Sequence, residues 1–119
     1  MATQQQSGIS GGQAGQLLRL IGGVVSGNGT IESGGGFRVD RASQGHYVIN
    51  FDNPFMVKPA VCATQIFPDL PQDSNPGGGN PLDNAVLIFV GLDHFRIQVG
   101  DNNGNPQDRS FSFTASAWQ

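Results

Sequence analysis

Charge is scarce in this sequence. Asp, Glu, Lys and Arg make up 13% of its 119 residues, about half the ~25% usual for globular chains. That excludes a coiled coil and a charge-rich disordered tail, both of which are built on charge. Basic side chains are scarcer still: six Lys and Arg, scattered, against nine Asp and Glu, for a net charge of −3. Phosphate recognition needs clustered cations, so nucleic acid is not an expected partner. Cysteine occurs once, at Cys62, which excludes an internal disulfide framework and a Cys-rich zinc site. No apolar run approaches the ~18 residues of a membrane span, so no membrane insertion is expected. The opening Met1-Ala2-Thr3-Gln4-Gln5-Gln6 lacks the basic and apolar regions of a Sec signal peptide. No His-Glu-x-x-His motif is present. The carboxylates are dispersed, so the paired acids of a glycosidase are missing too. No enzyme and no cofactor is expected from these residues.

Glycine fills much of the space, at 18 residues, roughly twice its ~7% average. Asn, Gln and Ser fill much of the rest. The glycines follow no three-residue period, so the composition is that of a turn-rich β protein rather than collagen. The length allows one domain and a modest core. Residues 1–16 are mostly Gln, Gly and Ser and cannot offset their ordering entropy by burial. They are expected to form a flexible leader, ordered only by a partner subunit, ahead of a domain over 17–119.

The first half of Leu17–Val25 could make a short helix, while Gly22-Gly23 and Val24-Val25 favour a strand or a helix-to-strand break. Gly27-Asn28-Gly29 is a turn signal. From residue 36 the period is two. Phe37, Val39 and Arg41 alternate with Arg38 and Asp40, Ser43-Gln44-Gly45 turns the chain, and Tyr47, Ile49 and Phe51 share a face. This is a hairpin. Pro54 stops it, and Lys58-Pro59 introduces a run over Ala60–Ile66. Residues 67–84 form a connection with four prolines and Gly77-Gly78-Gly79 at its middle, either a binding loop or a tolerated insertion. Strands are then expected over 85–90 and 94–99, with Phe95, Ile97 and Val99 inward. A last strand over 110–118 puts Phe111, Phe113, Ala115 and Ala117 on one face. The fold class is all-β: an antiparallel six- to seven-stranded sandwich, jelly-roll-like. In strand 85–90, Val86, Ile88 and Val90 point one way and Leu87 and Phe89 the other. Such a strand needs a second cover. The candidates are the 67–84 loop, Leu17–Val25 folded back, or a second copy, with a homotrimer the expected assembly.

The order of Gly36-Phe37-Arg38-Val39, Gly45-His46-Tyr47-Val48-Ile49-Asn50-Phe51, Pro54-Phe55, Lys58-Pro59-Ala60-Val61, His94-Phe95-Arg96-Ile97 and Ser110-Phe111-Ser112-Phe113 is similar to the H-type lectin domain. It also resembles modules at the ends of bacterial and phage surface or tail-fibre proteins, and more distantly the trimeric C1q and tumour-necrosis-factor-like jelly rolls. The resemblance covers about residues 35–118. It implies a six-stranded sandwich, usually trimeric, that binds N-acetylgalactosamine-type sugars near subunit boundaries. Sugar contacts in that family come partly from the turn between the last two strands, which here is Gly100 to Arg109. Where the family carries a Trp-His pair, this chain has Asp101-Asn102-Asn103-Gly104-Asn105.

Three readings of that turn are open. Asp101, Asn103, Asn105 and Asp108 are oxygen-rich, as calcium loops are, although Pro106 stands where an EF-type loop needs glycine. Asn-Gly is also the commonest hairpin signal. In the third reading, Asp101, Asn102, Asn103 and Arg109 hydrogen-bond the hydroxyls of a glycan ligand. His46 and His94 open strands and are expected on the solvated surface. Cys62 is expected buried and inert. Gly34-Gly35-Gly36 is expected to give a bulge or a tight entry into the Phe37 strand. Trp118 is expected to pack in the core or an interface with Phe111 and Phe113. The function expected is a homo-oligomeric recognition module for glycans, outside the cell or on a particle surface. The alternative is a structural subunit of a virion, tail fibre or appendage.

Overall fold

The computed structural model describes residues 16–73 and 78–119. The leader expected over 1–16 lies outside them apart from Gln16, as does the middle of the 67–84 connection. The described residues hold eight strands and no helix: β1 (Leu18–Val25), β2 (Ile31–Gly35), β3 (Phe37–Ser43), β4 (His46–Phe51), β5 (Ala60–Ile66), β6 (Asn84–Val90), β7 (His94–Gly100) and β8 (Ser110–Trp118). They form two antiparallel sheets, β2-β1-β8-β5 and β3-β4-β7-β6. The sandwich is as expected, but the strand count is eight rather than six to seven.

The extra strand is β2, and β1 is strand throughout. A helix of five or six residues at Leu17–Ile21 has too few hydrogen bonds to offset its nucleation. Pairing with β8 instead satisfies β1 along its whole length, from Leu18↔Trp118 to Val25↔Phe111. β2 carries one large apolar residue, Ile31, and so leaves no alternation to detect. Its pairing depends on glycine. A Cβ on Gly34, at φ +91°, would lie 2.1 Å from the Gly22 carbonyl oxygen. Only a residue without a side chain lets the two backbones close there. The β1–β2 register shifts between Val24 and Val25, a bulge at Glu32 rather than at Gly34-Gly35-Gly36.

The core lies between the sheets. Across the first sheet, side-chain sizes complement one another along each row: Gly23–Phe113–Ala63, then Ile21–Ala115–Val61. Phe113 thereby reaches the opposite sheet, where it meets Phe37 at 4.9 Å and Phe95 at 5.0 Å, edge on in both pairs. Phe51 packs edge on against Phe55 at 4.9 Å. Tyr47, Ile49, Phe95, Ile97, Val99 and Phe111 are fully enclosed.

Three sequence expectations need correction. Cys62 is exposed, because it faces outward beside Thr114 while Val61 and Ala63 face in. Trp118 is not in the core with Phe111 and Phe113, since alternation along β8 puts it on the outer face, paired with outward Leu18. In β6 a register shift between Leu87 and Phe89 breaks strict alternation. Ala85, Leu87 and Val90 pack on the core, and Val86, Ile88 and Phe89 are exposed together. Leu17–Val25 does not cover them, because β1 belongs to the other sheet.

Candidate functional site

The connection from β7 to β8, residues 101–109, crosses from one sheet to the other and carries all four residues expected to bind ligand. Asp101 holds its own turn. One carboxylate oxygen accepts the backbone N–H groups of Asn103 and Asn105, both at 2.9 Å. The Asn105 amide, and then that of Asn103, keep the Asp101 carboxyl below the usual range. The Asp101 N–H donates back to the Asn105 carbonyl at 2.9 Å. Asn102 and Asn103 extend from the tip with exposed side chains. Arg109 points elsewhere, into the β5–β6 connection. It donates to Gln65 Oε1 at 2.9 Å, lies 3.7 Å from Asp83, and covers the Phe67 ring at 3.4 Å. The four residues therefore do not converge on one point: Asp101 is a turn-former, Arg109 a packed cation, and only the two asparagines are free.

Asp108 fastens this connection to the β3–β4 hairpin. Its carboxylate accepts Arg41 at 2.9 Å and the Gly45 N–H at 2.8 Å. Gly45 sits at φ +72°, where a Cβ would lie 2.6 Å from the Val99 carbonyl oxygen. The Tyr47 hydroxyl, beneath, donates to the Gly27 carbonyl. Burial, reinforced by Asp108, pushes Tyr47 up to about 12. Arg41, with the Gly45 N–H, holds the Asp108 carboxyl below its usual range. As pH falls through the ordinary carboxyl value near ~3.9, the unfolded chain takes up this proton before the folded one does. The stabilisation is therefore complete above that value and lost as pH falls through the folded value. Solvent screens the pair, so the effect is modest. Urea midpoints measured between about pH 5 and about pH 2 should fall less steeply for Asp108→Asn than for the wild type. Equal slopes would show that Asp108 does not contribute.

Compared with family models, curated proteins and solved structures, the chain finds no significant match.

A hollow of about 270 Å³ opens beside the 101–106 turn, just under the ~300 Å³ at which small-molecule sites begin. Its wall is the turn itself, through Gly100, Asp101, Gly104, Asn105 and Pro106. Its floor comes from the outer face of the second sheet, where Gln98 on β7 pairs with Val86 on β6. Leu82, from the β5–β6 connection, and Asn84, the first residue of β6, close it. Gln98, Asn84 and Asn105 thus line the hollow together with the aliphatic Leu82, Val86 and Pro106; Asn84 Oδ1 accepts the Ala85 N–H at 2.8 Å, and Asn105 Nδ2 donates to Asp101 Oδ2 at 3.5 Å. Asp101 is the only charged residue in the lining, and its carboxylate is engaged by the turn.

Of the four expected residues, only Asp101 lines this hollow. Gln98, Asn84 and Leu82 were missed. Alternation along β7 would place Gln98 outward, but nothing in the sequence says that β6 pairs beside it with a bulge. His46 and His94 do open strands, each with a local partner: Ser43 Oγ at 3.0 Å and Asp93 Oδ1 at 2.8 Å. The contact with His94 holds Asp93 below the usual carboxyl range. Among the described residues, no three His, Cys, Asp or Glu side chains converge in a metal-binding group.

Proposed function

We propose that this protein is a non-enzymatic recognition module for a neutral, hydroxyl-rich ligand, a glycan displayed on a cell or particle surface. The observation that carries this reading is the hollow beside the 101–106 turn, lined by the amide residues Gln98, Asn84 and Asn105 together with the aliphatic Leu82, Val86 and Pro106. A sugar hydroxyl both donates and accepts, and so does a carboxamide. A sugar's C–H face needs an apolar surface, which Leu82, Val86 and Pro106 supply. No Lys or Arg lines the hollow, so an anionic ligand would go unmatched. The resemblance to H-type lectins supports the same end of the sandwich, because sugar contacts in that family come from the corresponding turn. The second reading, a structural subunit, is favoured by the uncharged outer face of the first sheet, from which Leu18 and Leu20 stand exposed.

Amide NMR titration with N-acetylgalactosamine tests the first reading. Shifts are expected at Asn84, Gln98, Gly104 and Asn105, with few elsewhere. Gln98→Ala and Asn105→Ala should each weaken binding about five- to tenfold, the loss of a hydrogen bond worth ~1 kcal/mol. An unperturbed spectrum, joined to a glycan array without hits, would refute it.

A further inference from the structure

The two outer faces of the sandwich differ in kind. The outer face of β3-β4-β7-β6 carries the charged Arg38, Asp40 and Arg96 with His46 and His94, beside the exposed Val86, Ile88 and Phe89 of its edge strand β6. The paired outward positions of β2-β1-β8-β5 carry no charged side chain. Arg19, on β1, turns inward to cover the Phe55 ring and bond the carbonyls of Asn53 and Pro54. Glu32 stands at the bulge of the edge strand. Small residues, Thr114 among them, make the middle of this face flat, and Leu18 and Leu20 rise from it, 51% and 63% exposed. Trp118 stands beside Leu18 at one end. Leu17 is 71% exposed at that end, where its N–H bonds the Gln119 carbonyl. Met56, 76% exposed, bonds the Gln119 side chain there.

We propose that this face is a self-association surface and that its occupant is the same face of a second copy. Identical copies bring identical charges to a shared contact. On a chain of net charge −3, a face without charge can meet its own copy without repulsion. Loss of charge together with an aromatic residue is also the composition of an interface core. Four strands about 4.8 Å apart, with about seven residues at about 3.3 Å each, project to roughly 440 Å². Side-chain relief and the Leu17–Met56 rim extend this towards the ~800 Å² per partner of a stable contact. This surface differs from the exposed β6 residues that the sequence suggested as the contact. It also lies on the opposite side from the proposed glycan hollow, so either reading can fail without the other.

The test is light scattering on the full chain, with thiol labelling of Cys62 as a local readout. Cys62 faces outward from this sheet and is the only cysteine. The wild type is expected at twice the 12.5 kDa of one chain, because a face that meets its own copy closes at two. Leu20→Lys and, independently, Thr114→Arg should reduce it to one chain, because each copy then brings a cation to the contact. Arg38→Glu, on the other sheet, should leave the mass unchanged. Both disrupting sites are solvent-exposed, and circular dichroism is the check that the variants fold. Cys62 should label at least tenfold faster in Leu20→Lys than in the assembled wild type. A wild type that remains a single chain at high concentration overturns the proposal. So does an assembly that survives both substitutions, or a Cys62 labelled equally fast in the two forms.

Discussion

Phe113→Ala is expected to lower the unfolding free energy by about 3–5 kcal/mol, the range for deleting an enclosed phenyl ring. Total stability in a domain of this kind is about 5–15 kcal/mol, so the variant should be close to unfolding. Phe113 belongs to β8, the inner strand between β1 and β5, and its row partners are Gly23 and Ala63. Neither can fill the space the ring leaves. Its edge-on contacts with Phe37 and Phe95 join the first sheet to two strands of the second, and each aromatic pair adds ~0.5–1.5 kcal/mol beyond burial. The Phe37 ring already rests against Gly23, where a Cβ would lie 2.8 Å from it. Urea denaturation followed by Trp118 fluorescence measures the loss. Ser112→Ala, one residue away and outward, should stay within ~0.5 kcal/mol. A Phe113→Ala variant less than 1 kcal/mol below wild type would show that the two sheets are not pinned through this ring.

The core was legible because pleating leaves a period-two signature wherever one face is buried and the other wet. Phe37, Tyr47, Ile49, Phe95, Ile97, Phe111 and Phe113 carry that signature, and all are buried. β2 carries none, because its place is fixed by backbone closeness at Gly23 and Gly34 rather than by apolar side chains. The β6 faces were misassigned for a related reason. A bulge adds one residue to a strand, and Val86-Leu87-Ile88-Phe89-Val90 is apolar at every position, so nothing in the string marks where alternation slips. Cys62 was misplaced because Val61, Cys62 and Ala63 are all apolar or nearly so. Only the pairing of Ala63 with Phe113 tells which of them face in. The turn at 101–105 was visible as a turn, and Asp101 capping it is what Asp does in such sequences. The destination of Arg109 was not visible, because its partners lie 26 to 44 residues earlier in the chain.

Arg109→Ala is expected to destabilise the fold rather than simply remove a surface contact. The side chain is 12% exposed and the facing Asp83 10%. Gln65 accepts from Arg109 through Oε1, and through Nε2 it donates to the carbonyls of Asn84 at 2.7 Å and Gly100 at 2.8 Å. Arg109 therefore orients the amide that joins β5 to the start of β6 and the end of β7. Truncation leaves the Asp83 carboxylate without its cation and uncovers the Phe67 ring. Breaking a buried pair from one side costs ~3–5 kcal/mol, and the 3.7 Å separation places this one near the lower figure. A double-mutant cycle separates the charge from the packing. In an Asp83→Asn background the same truncation should cost at least ~1 kcal/mol less, because the stranded charge is gone. Equal costs in the two backgrounds would reduce Arg109 to a space-filler, and a fully stable Arg109→Ala would return it to the list of free, ligand-facing side chains. Leu82 and Asn84 line the hollow, and Asp83 between them is what Arg109 holds. Weakened glycan binding in Arg109→Ala should therefore come with a loosened 78–84 segment, and amide exchange in that segment should rise in parallel with the loss of affinity.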